Sequence, residues 1–174
     1  LPKTLESLHL AIGNSFAFVT DRSSPVQQDF PALRTLTLEG FEHYKALPAS
    51  ELAKLAGITR LNVPVALDID ELGQLPRSLV HISKLALTNN DAKKGSVEDA
   101  KQLPPELESL EFSAGPYAAC LLYGLHASSA HDTLRSLVIT GVDKMQSADK
   151  SLQVDESVFA LLPPNLTTLS LAEP

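Results

Sequence analysis

The stretch LPPELESLEF, residues Leu103–Phe112, occurs in closely similar form at both ends of the chain. It reads LPKTLESLHL at Leu1–Leu10 and LPPNLTTLSL at Leu162–Leu171. In each copy a Leu-Pro pair precedes apolar residues spaced as L-x-x-L-x-L. Apolar residues that alternate with polar ones predict a half-buried strand. The proline ends a preceding helix and biases its neighbour toward extended geometry. Each copy is therefore predicted to be one strand with its approach.

The same apolar spacing recurs along the 174 residues. A regular interval of this kind indicates stacked units of one supersecondary type. The intervals between first apolar positions run from 24 to 32 residues. Those positions are Leu5, Leu33, Ile58, Ile82, Leu107, Leu134 and Leu166.

Two signals disagree in the fourth unit. The pair Leu75-Pro76 predicts a strand from Leu79 to Ile82, by analogy with the other Leu-Pro pairs. The apolar triplet instead predicts a strand from Ile82 to Leu87. We favour the second interpretation, because it keeps the unit lengths even.

Short helices are predicted between the strands. Ser24-Pro25 and Ser50 have the residue types that begin helices. The pairs Asp68/Glu71 and Ser96/Asp99 have the spacing of a capping residue followed by an acidic one. The most apolar intervening segment is Tyr117 to Leu125, and a further helix is predicted after Asp155.

These spacings resemble the leucine-rich repeat family, in its long-unit, ribonuclease-inhibitor-like form. The Leu-Pro motif is also similar to that of bacterial effector leucine-rich repeats. The resemblance covers essentially the whole chain. It implies an α/β fold of about seven repeats: a curved solenoid with a parallel sheet on the concave face and short helices or turns on the convex face. Residues 1–174 are then expected to be a single domain, and the start within a unit indicates a fragment of a longer repeat protein.

Composition and charge exclude several classes of function. A formal net charge of −7 argues against nucleic acid, whose phosphates require clustered Lys and Arg. No apolar run reaches the roughly 20 residues that a membrane-spanning helix needs. The single cysteine, Cys120, excludes an internal disulfide and is typical of a reducing compartment. An intracellular, cytoplasmic protein without membrane insertion is expected.

Partner-binding candidates are the polar residues between the leucines, which in such a solenoid face outward. Small hydroxyl side chains and mixed charges dominate these positions. Arg34, Arg60, Lys84 and Arg135 are predicted to form a basic strip. The same composition also fits a solvated sheet without a partner. The loops Asn89–Lys94 and Val142–Asp155 are an alternative place for recognition. The candidates are Glu6, His9, Arg34, Arg60, Lys84, Glu108, Glu111 and Arg135.

No pattern predicts catalysis, a cofactor or a metal site. His126, His131 and Asp132 come nearest to the spacing of zinc ligands, but we favour the interpretation that they belong to a polar loop after the preceding helix. Cys120 lies in an apolar segment and is predicted to be a buried structural thiol. The glycines are isolated, unlike those of phosphate-binding loops.

The predicted function is that of a non-enzymatic module that presents a rigid curved surface to a protein partner. One alternative is the substrate-recognition or regulatory part of a larger enzyme, such as a ubiquitin-ligase receptor or an effector. A second alternative is a structural subunit of a large assembly.

Overall fold

A computed structural model describes residues 3–11, 31–39, 55, 57–88, 101–113, 118–140 and 159–172. The strands within these ranges are Ser7–Ala11 (β1), Thr35–Glu39 (β2), Arg60–Asp68 (β3), His81–Thr88 (β4), Ser109–Ser113 (β5), Ser136–Thr140 (β6) and Thr168–Ala172 (β7). The helical elements are the α-helix Ala118–His126 (α1) and the 3-10 helices Ile69–Gln74 and Ser129–His131.

All seven strands belong to one parallel sheet, and their order in the sheet is their order in the chain. Each strand pairs in parallel with the next one along the sequence. The architecture is therefore of the α/β type, with one in-order parallel sheet and few helices. None of the helices in the described part of the chain is long and apolar enough to cross a membrane.

Two of the predicted helical segments fall largely within the described residues. From the predicted segment Tyr117 to Leu125, residues 118–125 belong to α1, and the segment that Asp68 begins forms the first 3-10 helix. From the segment after Asp155 the structure describes only residues 159–162, where the Leu162 amide donates to the Phe159 carbonyl at 3.3 Å. Several predictions lie outside the described residues. They are the helices after Ser24, Ser50 and Ser96 and the loops 89–94 and 142–155. Of the helix predicted after Ser50, only Leu55 is described.

The apolar residues of the stretch Leu103–Phe112 belong to the core. Leu107, Leu110 and Phe112 of the opening stretch are each 0% exposed. Along β5 and β6 buried residues alternate with half-buried ones, as they do when one face of a strand packs inward. Burial of each Leu or Phe contributes about 1.5–3 kcal/mol, so the stacked leucines are the main source of stability.

A backbone interaction repeats at every junction between neighbouring strands. The carbonyl of the residue just before a strand accepts hydrogen bonds from two consecutive amides of the next unit. The Glu6 carbonyl, for example, accepts from the amides of Arg34 at 2.8 Å and Thr35 at 3.0 Å. We call this series the carbonyl ladder; its acceptors are Glu6, Arg34, Thr59, Val80, Glu108 and Arg135, and its N···O distances lie between 2.8 and 3.1 Å.

The carbonyl ladder corrects the predicted register of the fourth unit. Val80 is the ladder residue, and the preceding Leu79 is 0% exposed, which makes Leu79 the first apolar position of this unit. Ile82 pairs with Leu61 and with Leu110, so it is the second apolar position. The predicted strand Ile82 to Leu87 is confirmed, because it lies within β4, His81–Thr88. Only the assignment of Ile82 as the first apolar position was wrong, and Leu79, which the Leu75-Pro76 signal indicates, holds that position.

An irregularity in β3 and β4 explains why the apolar triplet misled. Ile82 and Leu85 of β4 pair with Leu110 and Phe112 of β5, so β4 holds one more residue between the paired positions. The extra residue places Lys84 in a backbone conformation with φ of 62°, which non-glycine residues seldom adopt. A bulge of this kind adds a residue without losing the pairing on either side.

Polar side chains tie several units to the preceding one at the point where the strand begins. The Ser78 hydroxyl donates to the Ile58 carbonyl at 2.7 Å, and the Asn165 amide donates to the Asp132 carbonyl at 2.8 Å. The Thr133 Oγ1 lies 2.9 Å from the Leu107 carbonyl oxygen and also lies close to the Pro105 and Ala130 carbonyls. These side-chain hydrogen bonds pair carbonyls that are not acceptors of the carbonyl ladder.

The last strand does not bury its apolar side chains as the inner strands do. Leu169 and Leu171 of β7 are 44% and 47% exposed, whereas Leu137 and Ile139 at the same positions of β6 are 0% and 1% exposed. Because β7 has a neighbour on one side only, burial of these positions depends on strands on both sides.

Leu79→Ala tests the corrected register. We expect the free energy of unfolding in urea to fall by about 2–5 kcal/mol, because the truncation leaves a cavity among stacked leucines. The control Lys84→Ala, at an exposed position, should change it by no more than about 0.5 kcal/mol. Comparable small effects of both changes would contradict the placement of Leu79 in the core.

Thr133→Val tests the side-chain bonds at strand entries. The change keeps the shape but removes the hydroxyl proton, so part-buried carbonyls of the preceding unit lose a donor. We expect the free energy of unfolding to fall by about 1–3 kcal/mol. Thr167→Val, which removes an exposed bond to the Arg135 carbonyl, should have a smaller effect because water can replace the hydroxyl.

Candidate functional site

The outward-facing strand positions form the candidate site, and we call them the polar face. Strand pairing aligns them in rows that cross the sheet. The first row runs through all seven strands: Ser7, Thr35, Arg60, His81, Ser109, Ser136 and Thr168. Neighbouring members belong to strands about 4.8 Å apart, so this row is continuous across the sheet.

The second row lies two residues further along each strand and is interrupted at the bulge. On one side it runs through His9, Thr37, Asn62 and Ser83. On the other side it resumes with Glu111, Val138 and Ser170. Lys84 lies at the interruption, exposed to solvent and without a Cα partner in β3 or β5. The bulge therefore breaks the regular surface at one defined place near the middle of the sheet.

The eight predicted site residues occupy three kinds of position. Arg60 belongs to the first row, His9 and Glu111 belong to the second row, and Lys84 lies at the bulge. The remaining four, Glu6, Arg34, Glu108 and Arg135, are residues of the carbonyl ladder, one position before a strand. All eight are exposed except Glu111, which is half-buried.

The four residues of the predicted basic strip lie at three kinds of position. Arg34 and Arg135 are ladder residues, whereas Arg60 lies in the first row and Lys84 at the bulge. The register error accounts for part of this result, because it placed Lys84 beside Arg60 where the structure has His81. The positive charges are therefore spread over different rows.

Arg34 has a structural role that the sequence pattern does not reveal. Its guanidinium Nη1 donates to the carbonyls of Leu33 at 3.1 Å, Pro31 at 3.3 Å and Gly57 at 3.4 Å. The Gly57 carbonyl belongs to the next unit, so this side chain links two units. We infer that Arg34 contributes more to the fold than to recognition.

His81 is a site residue that the sequence interpretation missed. It is half-buried in the first row beside Arg60, and the ladder residue Glu108 lies near it on the other side. Burial lowers the pKa of His81 below its usual 6.5, the positive charge of Arg60 lowers it further, and the negative charge of Glu108 raises it. The net effect favours the neutral imidazole, which has one hydrogen-bond donor and one acceptor. The Leu75-Pro76 signal would have placed it correctly.

An unpaired acceptor lies in the second row, just before the irregularity of β3. The Oδ1 atom of Asn62 is buried and has no hydrogen-bond partner within the described part of the chain. A buried acceptor of this kind costs about 1–3 kcal/mol when it stays unpaired. Together with Arg60 and His81 it concentrates polar chemistry on β3 and β4.

Two other predictions concern residues away from the polar face. Cys120 is buried in α1, as predicted. The described residues contain no group of three or more His, Cys, Asp or Glu placed to hold a metal ion. His126 and His131 nevertheless lie close together, with the Nδ1 atom of the first 3.2 Å from the Nε2 atom of the second.

The lowered pKa of His81 predicts how stability depends on pH. Below about pH 6.5 the unfolded chain binds a proton at this side chain more readily than the folded chain does. The free energy of unfolding should therefore fall as the pH drops from about 7.5 to 5.5. His81→Gln should reduce this dependence of the free energy of unfolding on pH, as measured by urea denaturation at several pH values.

The cause of the pKa shift can be tested by NMR titration of the His81 ring. Arg60→Gln should raise the pKa of His81, because it removes a positive charge, and Glu108→Gln should lower it. Lys3→Gln, an exposed substitution outside this row, serves as the control and should leave the titration unchanged. Equal effects of all three changes would contradict the arrangement of Arg60, His81 and Glu108.

Comparison of the chain with protein-family models, with curated proteins and with solved structures finds no match. The polar face, with its charges and its irregularity at β3 and β4, is the feature from which a function can be inferred.

Proposed function

We propose that this chain is a protein-interaction module, a leucine-rich-repeat solenoid whose polar face binds a protein partner. The observation that carries the proposal is the continuous first row, which crosses seven parallel strands on one stiff sheet. A rigid surface loses little conformational entropy on binding, and this favours affinity. The solenoid and its curvature are part of the proposal; the in-order sheet supports them.

The middle of the polar face is the proposed contact centre. Arg60 on β3 and Lys84 on β4 supply positive charge, while Glu108 and Glu111 supply negative charge at β5. Arginine is enriched among the residues that dominate binding energy. The sign of the charge therefore changes between β4 and β5. This favours a partner with acidic groups opposite β3 and β4 and basic groups opposite β5.

The hydroxyl-rich remainder of the first row suits the periphery of such an interface. Ser109 and Ser136 are half-buried neighbours of the charged residues and can both donate and accept hydrogen bonds. Interface peripheries are polar and hydrated. Because the polar face has few apolar side chains, recognition would depend on charge and hydrogen bonding. The affinity for the partner should therefore weaken at high salt.

Site-specific photocrosslinking tests the proposal. A photoreactive amino acid at Lys84 should capture a protein in extracts of the source cells, whereas the same group at Gln74, exposed at the end of the first 3-10 helix, should not. The captured protein, once purified, should bind the unlabelled chain. The double substitution Arg60→Glu/Glu108→Arg should weaken that binding by about tenfold or more.

The controls separate the competing functions. Lys3→Glu changes charge outside the proposed centre and should leave the affinity unchanged. Capture from Gln74 but not from Lys84 would favour a structural subunit that is buried through its helical side. If the captured protein is chemically modified only when this chain is present, the result would favour the alternative that the chain is the substrate-recognition or regulatory part of a larger enzyme. Absence of specific capture from Lys84 would refute the proposed contact centre.

A further inference from the structure

Two imidazole rings meet where α1 passes into the second 3-10 helix. The Nδ1 atom of His126 and the Nε2 atom of His131 are 3.2 Å apart. The ring centroids are 4.8 Å apart, and the ring planes are nearly perpendicular at 87°. The two rings thus meet through their nitrogen atoms rather than by stacking.

The backbone holds both histidines in place through buried neighbours. Leu125, next to His126, is 1% exposed, and Ala130, next to His131, is 0% exposed. The turn between them is closed by Ser128, whose amide and hydroxyl both donate to the Leu125 carbonyl, at 3.0 and 2.8 Å. The short distance between the rings therefore follows from an anchored turn.

We propose that His126 and His131 form a binding site for a divalent transition-metal ion. Imidazole nitrogens bind zinc at 2.0–2.1 Å, so two of them on one tetrahedral ion are about 3.3 Å apart. The observed separation of 3.2 Å matches this requirement. Ring rotations that keep this separation would direct both lone pairs at one ion.

Asp132 supports this assignment from behind His131. Its Oδ1 atom lies 3.5 Å from the Nδ1 atom of His131, on the opposite side of the ring from His126. A carboxylate at this place favours the tautomer with its proton on Nδ1 and leaves the Nε2 lone pair for a metal. The backbone of Asp132 is itself fixed, because its carbonyl accepts the hydrogen bond from Asn165.

The chemistry of the donors selects the class of metal. Imidazole suits Zn²⁺, Cu²⁺ and Ni²⁺, whereas Mg²⁺ and Ca²⁺ prefer oxygen ligands. Two protein ligands leave further coordination positions for water, which His126 admits because it is exposed. Among these ions Cu²⁺ should bind most tightly. This proposal is independent of the polar face, since no residue is shared.

Calorimetric titration of the whole chain, purified without a histidine tag, tests the site. We expect one equivalent each of Cu²⁺ and Zn²⁺ to bind, and nitrogen couplings from two imidazoles in the electron paramagnetic resonance spectrum of the Cu²⁺ form. Asp132→Asn should weaken binding by about tenfold. His126→Gln should weaken it further, because it removes a ligand, and should leave a spectrum with one imidazole at most.

His9→Gln is the matched control, because His9 is an exposed histidine on β1. It should bind metal as the unchanged chain does. His126 is also exposed, so its substitution should preserve the fold, which urea denaturation can verify. The proposal is overturned if no saturable one-equivalent binding occurs, or if His126→Gln and His9→Gln bind alike. In either case the two rings form only a hydrogen-bonded pair.

Discussion

The carbonyl ladder is the constraint on which the rest of the structure depends. Before each of the strands β1 to β6, one carbonyl accepts hydrogen bonds from two amides of the next unit, and this fixes how far neighbouring units are shifted along the strand direction. A shift of one residue would turn every side chain of a strand to the opposite face. Because the bonds join backbone atoms, they do not depend on the side chain of the acceptor residue. Glu6, Thr59 and Val80 can therefore all supply a ladder carbonyl. The ladder thus sets the register, and the register determines which residues are buried and which face outward.

Burial of the leucines follows from that register and from neighbours on both sides. Leu137 and Leu169 occupy the same position of the pattern, but they are 0% and 44% exposed, because β6 lies inside the sheet and β7 at its edge. A leucine in this pattern becomes a core residue only when the adjacent units cover it. The core therefore depends on neighbouring strands of the sheet and not on any one strand alone.

The polar groups divide between holding the units together and facing solvent. The Nη1 atom of Arg34 and the hydroxyl of Thr133 donate to backbone carbonyls, some of them in adjacent units. Arg60 and Glu108 instead act on the pKa of His81, which lies between them in the sheet. This division separates a structural arginine from one available for recognition, although the two look alike in the sequence. The bulge at Lys84 adds an irregular feature to an otherwise repetitive surface.

The sequence alone predicted the seven strands that the described residues contain and most of the leucines that are buried, because these depend on local spacing and on proline. The parallel arrangement of the strands was implied by the resemblance to leucine-rich repeats. It also located α1 and the burial of Cys120. It could not choose the register of β4, where Leu79 and Ile82 were both acceptable first positions. Only pairing with β3 and β5 decides between them, since a bulge absorbs the extra residue. The roles of Arg34 and His81 and the meeting of His126 with His131 were likewise decided by tertiary structure, because each depends on where a side chain lies relative to another unit or turn.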